Sequence, residues 1–457
     1  MSLLGKPLRV AALLASTGVA ATSLNAQLTP PSTGGVVALD HLLQRLAENR
    51  RVLVIAAHPD DEDTSLLTLM ARGYGAEAAY LSLSRGEGGQ NLIGEELGIE
   101  LGLLRSRELE AARQVDGARQ FFTRSYDFGY SRSLSETSRF WLPDSVLKDA
   151  VRIVRRFKPH VIVTVFSGTS RDGHGQHHAA GSVARPAFED AGDPALFPEL
   201  QTEEGLEPWT PLKLYRSTRF DAGATTVELP TGVLDPRTGM TLHQIAMESR
   251  SQHSSQDMGR ILPIGPATTR LMLIQDRTGF NETAEEQDIF DGIPRDSSWL
   301  TELADSLRHA MSPARLTEAV PALASALARV GDLPVDDQKA RLLREALAVS
   351  AGLVIDGRAD SETLVAGEQS VITVQFYNAG PYQVVLEDIS LVTPDGWMVA
   401  SQAQGGATIQ PGDQIETELV VTLDQDAQLS QPYFLQRPMV GSQYDWSGTP
   451  PDVRGLP

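Results

Sequence analysis

Apolar and polar positions follow two rhythms through the first part of the chain. Helical spacing, with apolar residues recurring every three or four positions, marks ALDHLLQRLAENR (38–50), DTSLLTLMARGYG (63–75), GEELGIELGLLRSRELEAARQVDG (94–117) and LPDSVLKDAVRIVRRFKP (142–159). Between these helices lie unbroken apolar runs of strand length: RVLVIAA (51–57), AEAAYLSLS (76–84) and HVIVTVF (160–166). A strand with no polar alternation must be covered on both faces. The pattern therefore predicts an α/β domain with Rossmann-like winding, a mostly parallel sheet with helices on both faces. Residues 297–352 are helical around an alanine-rich middle and read as a small connector. From residue 353 the period shortens to two, in SVITVQFYNAGP (370–381), VVLEDISLVTPDGW (384–397) and QIETELVVTL (414–423), which predicts an immunoglobulin-like β-sandwich. The expected segments are a leader over 1–26, the α/β domain over 27–296, the connector over 297–352, the β-sandwich over 353–428, and a Pro-rich tail over 429–457. The tail shows no clear element and could be the start of a further module.

Composition narrows the chemistry. A formal charge of −20 over 457 residues argues against nucleic acid, whose phosphates need a basic surface. The chain contains no cysteine, which removes disulfides, thiolate catalysis and thiolate metal ligands, so any metal must be held by His, Asp and Glu. The opening MSLLGKPLRVAALLASTGVAATSLNAQ carries Lys6 and Arg9 ahead of an apolar stretch from Val10 to Ala21. That stretch is short for a membrane span and predicts an export signal cleaved after Ala26, hence a secreted or periplasmic protein. No later segment approaches a transmembrane span.

Two polar clusters sit where apolar strands end, the edge at which open α/β sheets bind ligands. The first is His58-Pro59-Asp60-Asp61-Glu62-Asp63, after strand 51–57; the second is SGTSRDGHGQHHAAG (167–181), after strand 160–166. His58 and Asp61, three apart in a turn stiffened by Pro59, can face one ion. His177 or His178 can add a third ligand, giving the open three-ligand set of a hydrolytic metal site. Such a set suits Zn²⁺, with Fe²⁺ or another divalent metal also compatible. Asp60 lies where a carboxylate can act as general base, and His174 where it can donate to an oxyanion. An acid at a helix start can also be a simple N-cap, which fits Asp63 and is the alternative for Asp61. Capping requires one acid and leaves the block of four, and the histidines at the other strand end, unexplained. Glu62 and His178 read as supporting or solvated residues.

AAHPDDE after an apolar strand, followed by the His-x-x-His of HGQH, resembles the PIG-L/LmbE-like metal-dependent de-N-acetylases. The resemblance spans roughly residues 45–270. The first motif matches throughout; the second has Gly175-Gln176 where the family usually has Pro-Asp, so the role of that Asp is missing. The resemblance implies His58, Asp61 and His177 as metal ligands, Asp60 as general base and His174 as the group that polarises the scissile carbonyl. It also implies substrate contacts from Arg105, in RSRELEAA, where pairing with Glu108 at helical spacing is the alternative, and from His253 and Gln256, in SRSQHSSQDMG. The implied activity is removal of an N-acetyl group from an N-acetylated sugar or glycoconjugate. A metal-dependent phosphoesterase and a catalytically inactive glycan-binding protein are the alternatives. The loop SRGEGGQN (84–91) lacks the Lys-Ser/Thr ending of a phosphate loop and reads as part of the site rim.

Overall fold

A computed structural model describes residues 34–219, 221–257, 259, 261–331, 337–393, 396–399 and 406–457; the expected leader over 1–26 lies outside the described residues. The chain runs α1 (Gly35–Leu46), β1 (Arg51–Ala56), α2 (Thr64–Thr68), β2 (Glu77–Ser82), α3 (Ile99–Asp116), β3 (Arg119–Phe122), α4 (Leu134–Thr137), α5 (Pro143–Phe157), β4 (Val161–Thr164), α6 (Gly175–Asp190) and β5 (Lys213–Ser217). Val52 through Ala56 of β1 have no exposed surface, as expected of a strand covered on both faces. β1 pairs in parallel with β2 on one side and β4 on the other. The sheet order β3-β2-β1-β4-β5 is parallel throughout. Strands Thr268–Asp276 and Val227–Pro230 then extend it antiparallel. The order reverses between β1 and β4, so the loops leaving these two strands border a crevice.

Glycine sets two helix boundaries, one of which periodicity misplaces. Gly98, at φ +64°, holds a backbone that a side chain would strain, and α3 starts after it at Ile99 rather than near 94. The helix expected over 63–75 is α only to Thr68; it continues as a π-helical turn, Leu69–Tyr74, and is closed by Gly75 at φ +74°.

α1 does not pack on the sheet core. Its Leu39, Leu43 and Leu46 join Leu300, Leu323 and Leu343 of the connector helices Trp299–Ala310, Val320–Gly331 and Asp337–Ala351 in a separate apolar cluster. Beyond it, a four-stranded antiparallel sheet and a two-stranded one surround a small core of Val374, Ile389 and Leu419. Residues 429–457, expected as a Pro-rich tail with no clear element, fold back on the α/β domain along the β3 edge. Phe122 N donates to Gly455 O (2.9 Å), Tyr444 N to Arg124 O (2.8 Å) and Tyr126 N to Ser442 O (2.9 Å). The segment's Phe434, Tyr444 and Trp446 are buried there against Leu103 and Tyr126. Aromatic residues among the prolines give this segment an apolar face, which the β3 edge receives.

Beneath the β1 turn lies a buried charge network. Glu62 Oε1 accepts from Arg113 Nη2 (3.1 Å) and His253 Nε2 (2.8 Å), and Oε2 accepts from Asp60 N (3.0 Å). Arg113 also donates to Asp116 Oδ2 (2.7 Å), which accepts from Ser249 Oγ (2.7 Å). The network fastens the β1 turn to α3 and to helix Leu242–Arg250. Burial opposes ionisation of Glu62, yet the charges of His253 and Arg113 hold its carboxyl well below the usual range.

Two stability predictions follow from this packing. A folded-state pKa below the unfolded one means that ionised Glu62 stabilises the protein above the ordinary carboxylate range, and that this contribution is lost as pH falls through it. Glu62→Gln should therefore lower unfolding free energy by about 3–5 kcal/mol near neutral pH, with the gap to wild type narrowing in acid, as read by urea unfolding. In α6, a Cβ at Gly181 would lie 2.1 Å from Gly168 N in the loop after β4. Gly181→Ala should lower stability by about 1–3 kcal/mol with an unchanged urea m-value; a neutral effect would show that this approach is not tight.

Candidate metal centre and active site

The turn after β1 is closed locally. His58 N donates to Asp61 Oδ2 (2.8 Å), and Asp63 caps α2 by accepting from Leu66 N (2.9 Å). Asp63 is thus the N-cap, and Asp61 is left to face the crevice. The loop after β4 is equally tied: the Asp172 carboxylate accepts from Ser167 N (2.9 Å) and Thr169 N (3.0 Å). This presents the Asp172 carbonyl to His177 Nδ1 (3.0 Å), while Phe166 stacks on the His177 ring at 3.9 Å. His174 precedes the first turn of α6 and its ring lies 3.7 Å from that of His177. Ring nitrogens of His58, His174 and His177 all lie within 4.8 Å of one another. The two strand ends, distant in sequence, meet at one point. His178, the alternative to His177, is not in this cluster.

Proton positions follow from the partners. Gln176 Nε2 donates to Asp127 Oδ1 (2.7 Å), which turns its Oε1 toward His58 Nε2 (3.2 Å) and makes that nitrogen the donor. His177 Nδ1 donates to a carbonyl in the same way. The remaining nitrogens, His58 Nδ1 and His177 Nε2, face Asp61 Oδ2 and Oδ1 at 3.2 and 3.3 Å. In neutral imidazoles these are lone pairs pointing at a carboxylate, an arrangement that becomes attractive only with a proton or a cation between them. Burial would lower the His58 pKa, but the Asp61 hydrogen bond and charge, with Asp127, raise it to about 9. Asp61 is held well below its usual value, against burial, by His177 and His58. His174 is pushed down to about 4 by burial and by the two other histidines, and its buried Nδ1 has no hydrogen-bond partner among the described residues. Imidazoles with oriented outer nitrogens, a carboxylate and no thiolate form a donor set that fits Zn²⁺ or Fe²⁺.

Asp60 points elsewhere. Its φ of +117° is unusual for a residue with a side chain and turns it away from Asp61. Arg105 Nη2 donates to its Oδ1 (2.7 Å), Arg250 donates to its carbonyl, and Glu62 accepts from its N–H. Burial raises its pKa; Arg105 opposes this and the neighbouring Asp61 adds to it. Asp60 and Asp61 border a cavity of about 560 Å³ that Arg219, Arg250, Thr268 and Arg270 also line.

The three expected substrate contacts, Arg105, His253 and Gln256, are each buried and engaged within the protein. Arg105 is buried, and its Nη atoms are engaged by Gly86 O (3.1 Å), Pro59 O (2.5 Å) and Asp60, because α3 runs directly under the β1 turn. His253 is fully enclosed and serves Glu62. Gln256 is buried and donates to Gln90 O (2.8 Å), fixing loop 84–91. Conversely, Asp127 and Gln176 were not singled out as site residues by sequence. Gln176 was visible only as a departure from the usual motif, and Asp127 lies in SYDFGY, which carries no motif.

Residues 53–188 match the model of the GlcNAc-PI de-N-acetylase (PIG-L) family, and residues 364–434 match that of the NPCBM-associated NEW3 domain of alpha-galactosidase. A 1D-myo-inositol 2-acetamido-2-deoxy-alpha-D-glucopyranoside deacetylase of Geodermatophilus obscurus is 33% identical over 172 residues, 34% of this chain and 58% of that protein. A protein of the same name with the number 1 from Frankia alni is 30% identical over 236 residues, 47% of this chain and 76% of that protein. The chain spans about three fifths of the length of the first such relatives, 58%, 64% and 60%. Among solved structures, N,N'-diacetylchitobiose deacetylase from Pyrococcus horikoshii shares 17% identity with a TM-score of 0.36, over 45% of this chain and 70% of that one. The 4-carboxy-2-hydroxymuconate hydratase GalB of Pseudomonas putida shares 15% identity with the same TM-score, over 50% and 98%. With the AHPDDE turn and the His-x-x-His turn meeting at one crevice, and relatives aligned across most of their length, the chain belongs to the GlcNAc-PI de-N-acetylase (PIG-L) family.

Proposed function

We propose that this chain is a metal-dependent N-deacetylase that releases acetate from an N-acetylated amino sugar or glycoconjugate. One observation carries the reading: Asp61 stands between His58 and His177, its two oxygens 3.2 Å from His58 Nδ1 and 3.3 Å from His177 Nε2, beside a separately oriented Asp60. Relatives named as deacetylases of an acetamido sugar support the substrate class. His58, Asp61 and His177 are the proposed ligands of Zn²⁺, or of Fe²⁺ or another divalent metal. A cation held there supplies Lewis acidity toward water and toward an amide carbonyl. Asp60, with its pKa raised and its carboxylate steered by Arg105, takes the proton of the attacking water. His174, neutral because of its low pKa, donates to the oxygen that gains charge as the carbonyl becomes tetrahedral. Asp60 then returns the proton to the departing amine. The cavity beside Asp60 has the size of ordinary small-ligand sites and room for a sugar. Export to a secreted or periplasmic location is proposed on the sequence of residues 1–26. The two antiparallel sheets after residue 353 support an immunoglobulin-like reading of that region.

The test is acetate release across N-acetylglucosamine derivatives, chitooligosaccharides and peptidoglycan fragments, with and without chelator. Activity should vanish with chelator and return with metal. Asp60→Asn, which tolerates positive φ, should keep the metal and lose at least ~10²-fold in rate. His174→Ala should also keep the metal; loss of metal would make His174 a ligand. Glycan binding without acetate release in any condition would reject the reading in favour of a binding protein.

A further inference from the structure

Loop 84–91 carries two buried charges that the proposed mechanism does not use, Arg85 and Glu87, on either side of Gly86. Both are held by the segment that folds back along β3. Glu87 Oε1 accepts from Tyr444 OH (2.6 Å), and its Oε2 accepts from Asp127 N (3.1 Å). Arg85 lies over the rings of Phe434 (3.6 Å) and Phe122 (4.1 Å) and donates to Leu456 O (3.0 Å). From this loop two paths lead to the active site. Asp127, placed by Glu87, accepts from Gln176 Nε2 (2.7 Å), and its Oδ2 lies 3.8 Å from His58 Nε2. Gln176 Oε1 in turn lies 3.2 Å from His58 Nε2 and holds the orientation of that ring. On the other side, Gly86 O accepts from Arg105, which holds Asp60. Gly86 is glycine for a reason of space as well as φ, since a Cβ there would lie 2.3 Å from Arg105 Nη1.

We propose that residues 430–457 are a positioning element of the active site, in which Tyr444 fixes Glu87 and, through Asp127 and Gln176, the ring of His58. The inference rests on the metal reading above. Tyr444, Glu87, Asp127 and Gln176 are all buried, so water cannot take over a lost contact. Without the tyrosine hydroxyl, Glu87 has a buried carboxylate oxygen with one donor fewer, and any rotation to find another releases Asp127 N. Tyr444 touches neither metal nor substrate; it acts through the orientation of the His58 ring, as outer groups around metal ligands do.

The experiment uses the full chain with Tyr444→Phe, Asp127→Asn, the double variant, and Ser145→Ala. Ser145 Oγ donates to Gln443 Oε1 (2.9 Å), so Ser145→Ala removes a contact to the same segment away from the Glu87 path. Zn²⁺ affinity is read by chelator competition, the Co²⁺-substituted protein by its visible spectrum, and acetate release by kcat and KM separately. Tyr444→Phe should weaken Zn²⁺ binding about tenfold, the lower end of losses around metal ligands, change the Co²⁺ spectrum, and lower kcat more than KM rises. Asp127→Asn should lose about 10–100-fold in affinity, and the double variant no more than Asp127→Asn alone. Ser145→Ala should match wild type. Unchanged affinity and spectrum in Tyr444→Phe, additive losses in the double variant, or an equal loss in Ser145→Ala would each overturn the inference while leaving the metal site standing. A wild-type chain that takes up no divalent metal would remove the proposed function, and this inference with it.

Discussion

Asp61 holds one oxygen toward His58 Nδ1 and the other toward His177 Nε2, and the outer nitrogen of each ring already donates a proton elsewhere. A carboxylate held this close to two imidazole nitrogens is favourable only where positive charge, a proton or a cation, lies between them. Much of the surrounding structure can be understood as keeping that arrangement from relaxing. The Asp172 carboxylate ties the β4 loop so that its carbonyl meets His177, and Asp127 turns the Gln176 amide so that its oxygen meets His58. The doubly wound sheet brings the two loops to the crevice where its strand order reverses, so neither loop has to reach far.

The adjacent acid is prepared for the opposite state. Asp61 is ionised by its histidines, whereas burial and Asp61 itself raise Asp60. Two neighbours in sequence differ this much because the backbone at Asp60 takes φ +117°, which sends its side chain to Arg105 and its carbonyl to Arg250. A backbone of that kind costs about 1–3 kcal/mol and persists only where the surroundings over-determine it. Here three fixed groups do so: the guanidinium of Arg105, that of Arg250, and the carboxylate of Glu62. The separation of pKa values between paired carboxyls is the usual mark of distinct proton roles.

The ligand turns were legible because their information is local. An unbroken apolar strand followed by His-Pro-Asp-Asp-Glu carries its own placement at a sheet edge, and the second strand with HGQH does the same. The supporting residues were less legible, because their partners lie far off in sequence. Arg105 looked like a substrate contact, yet it falls between Leu101 and Leu109 on one helical stripe, and all three are buried. A cation on an apolar stripe is the available sign that it pairs inside the protein rather than reaching into a cleft. His253 gave no such sign, and its role follows only from the position of Glu62. The packing of segment 429–457 was the least legible part. Its aromatic residues look scattered in a proline-rich stretch, but turns bring Phe434, Tyr444 and Trp446 into one cluster on the β3 edge.

The packing of that segment bears on how the α/β domain is bounded. A domain drawn by strand and helix periodicity stops before the connector, and the motif-bearing match ends at residue 188. The physical unit around the site is larger. It includes helix Leu242–Arg250 and His253, which close the Glu62 network, and a distant segment whose removal would expose Phe122, Arg85 and the carboxylate of Glu87. α1, by contrast, lies earlier in sequence than every site residue but shares its core with the connector. Sequence distance therefore fails as a guide in both directions. Membership in the unit is set by which buried polar groups would lose their partners, and by that criterion Tyr444 belongs to the site while Leu39 does not.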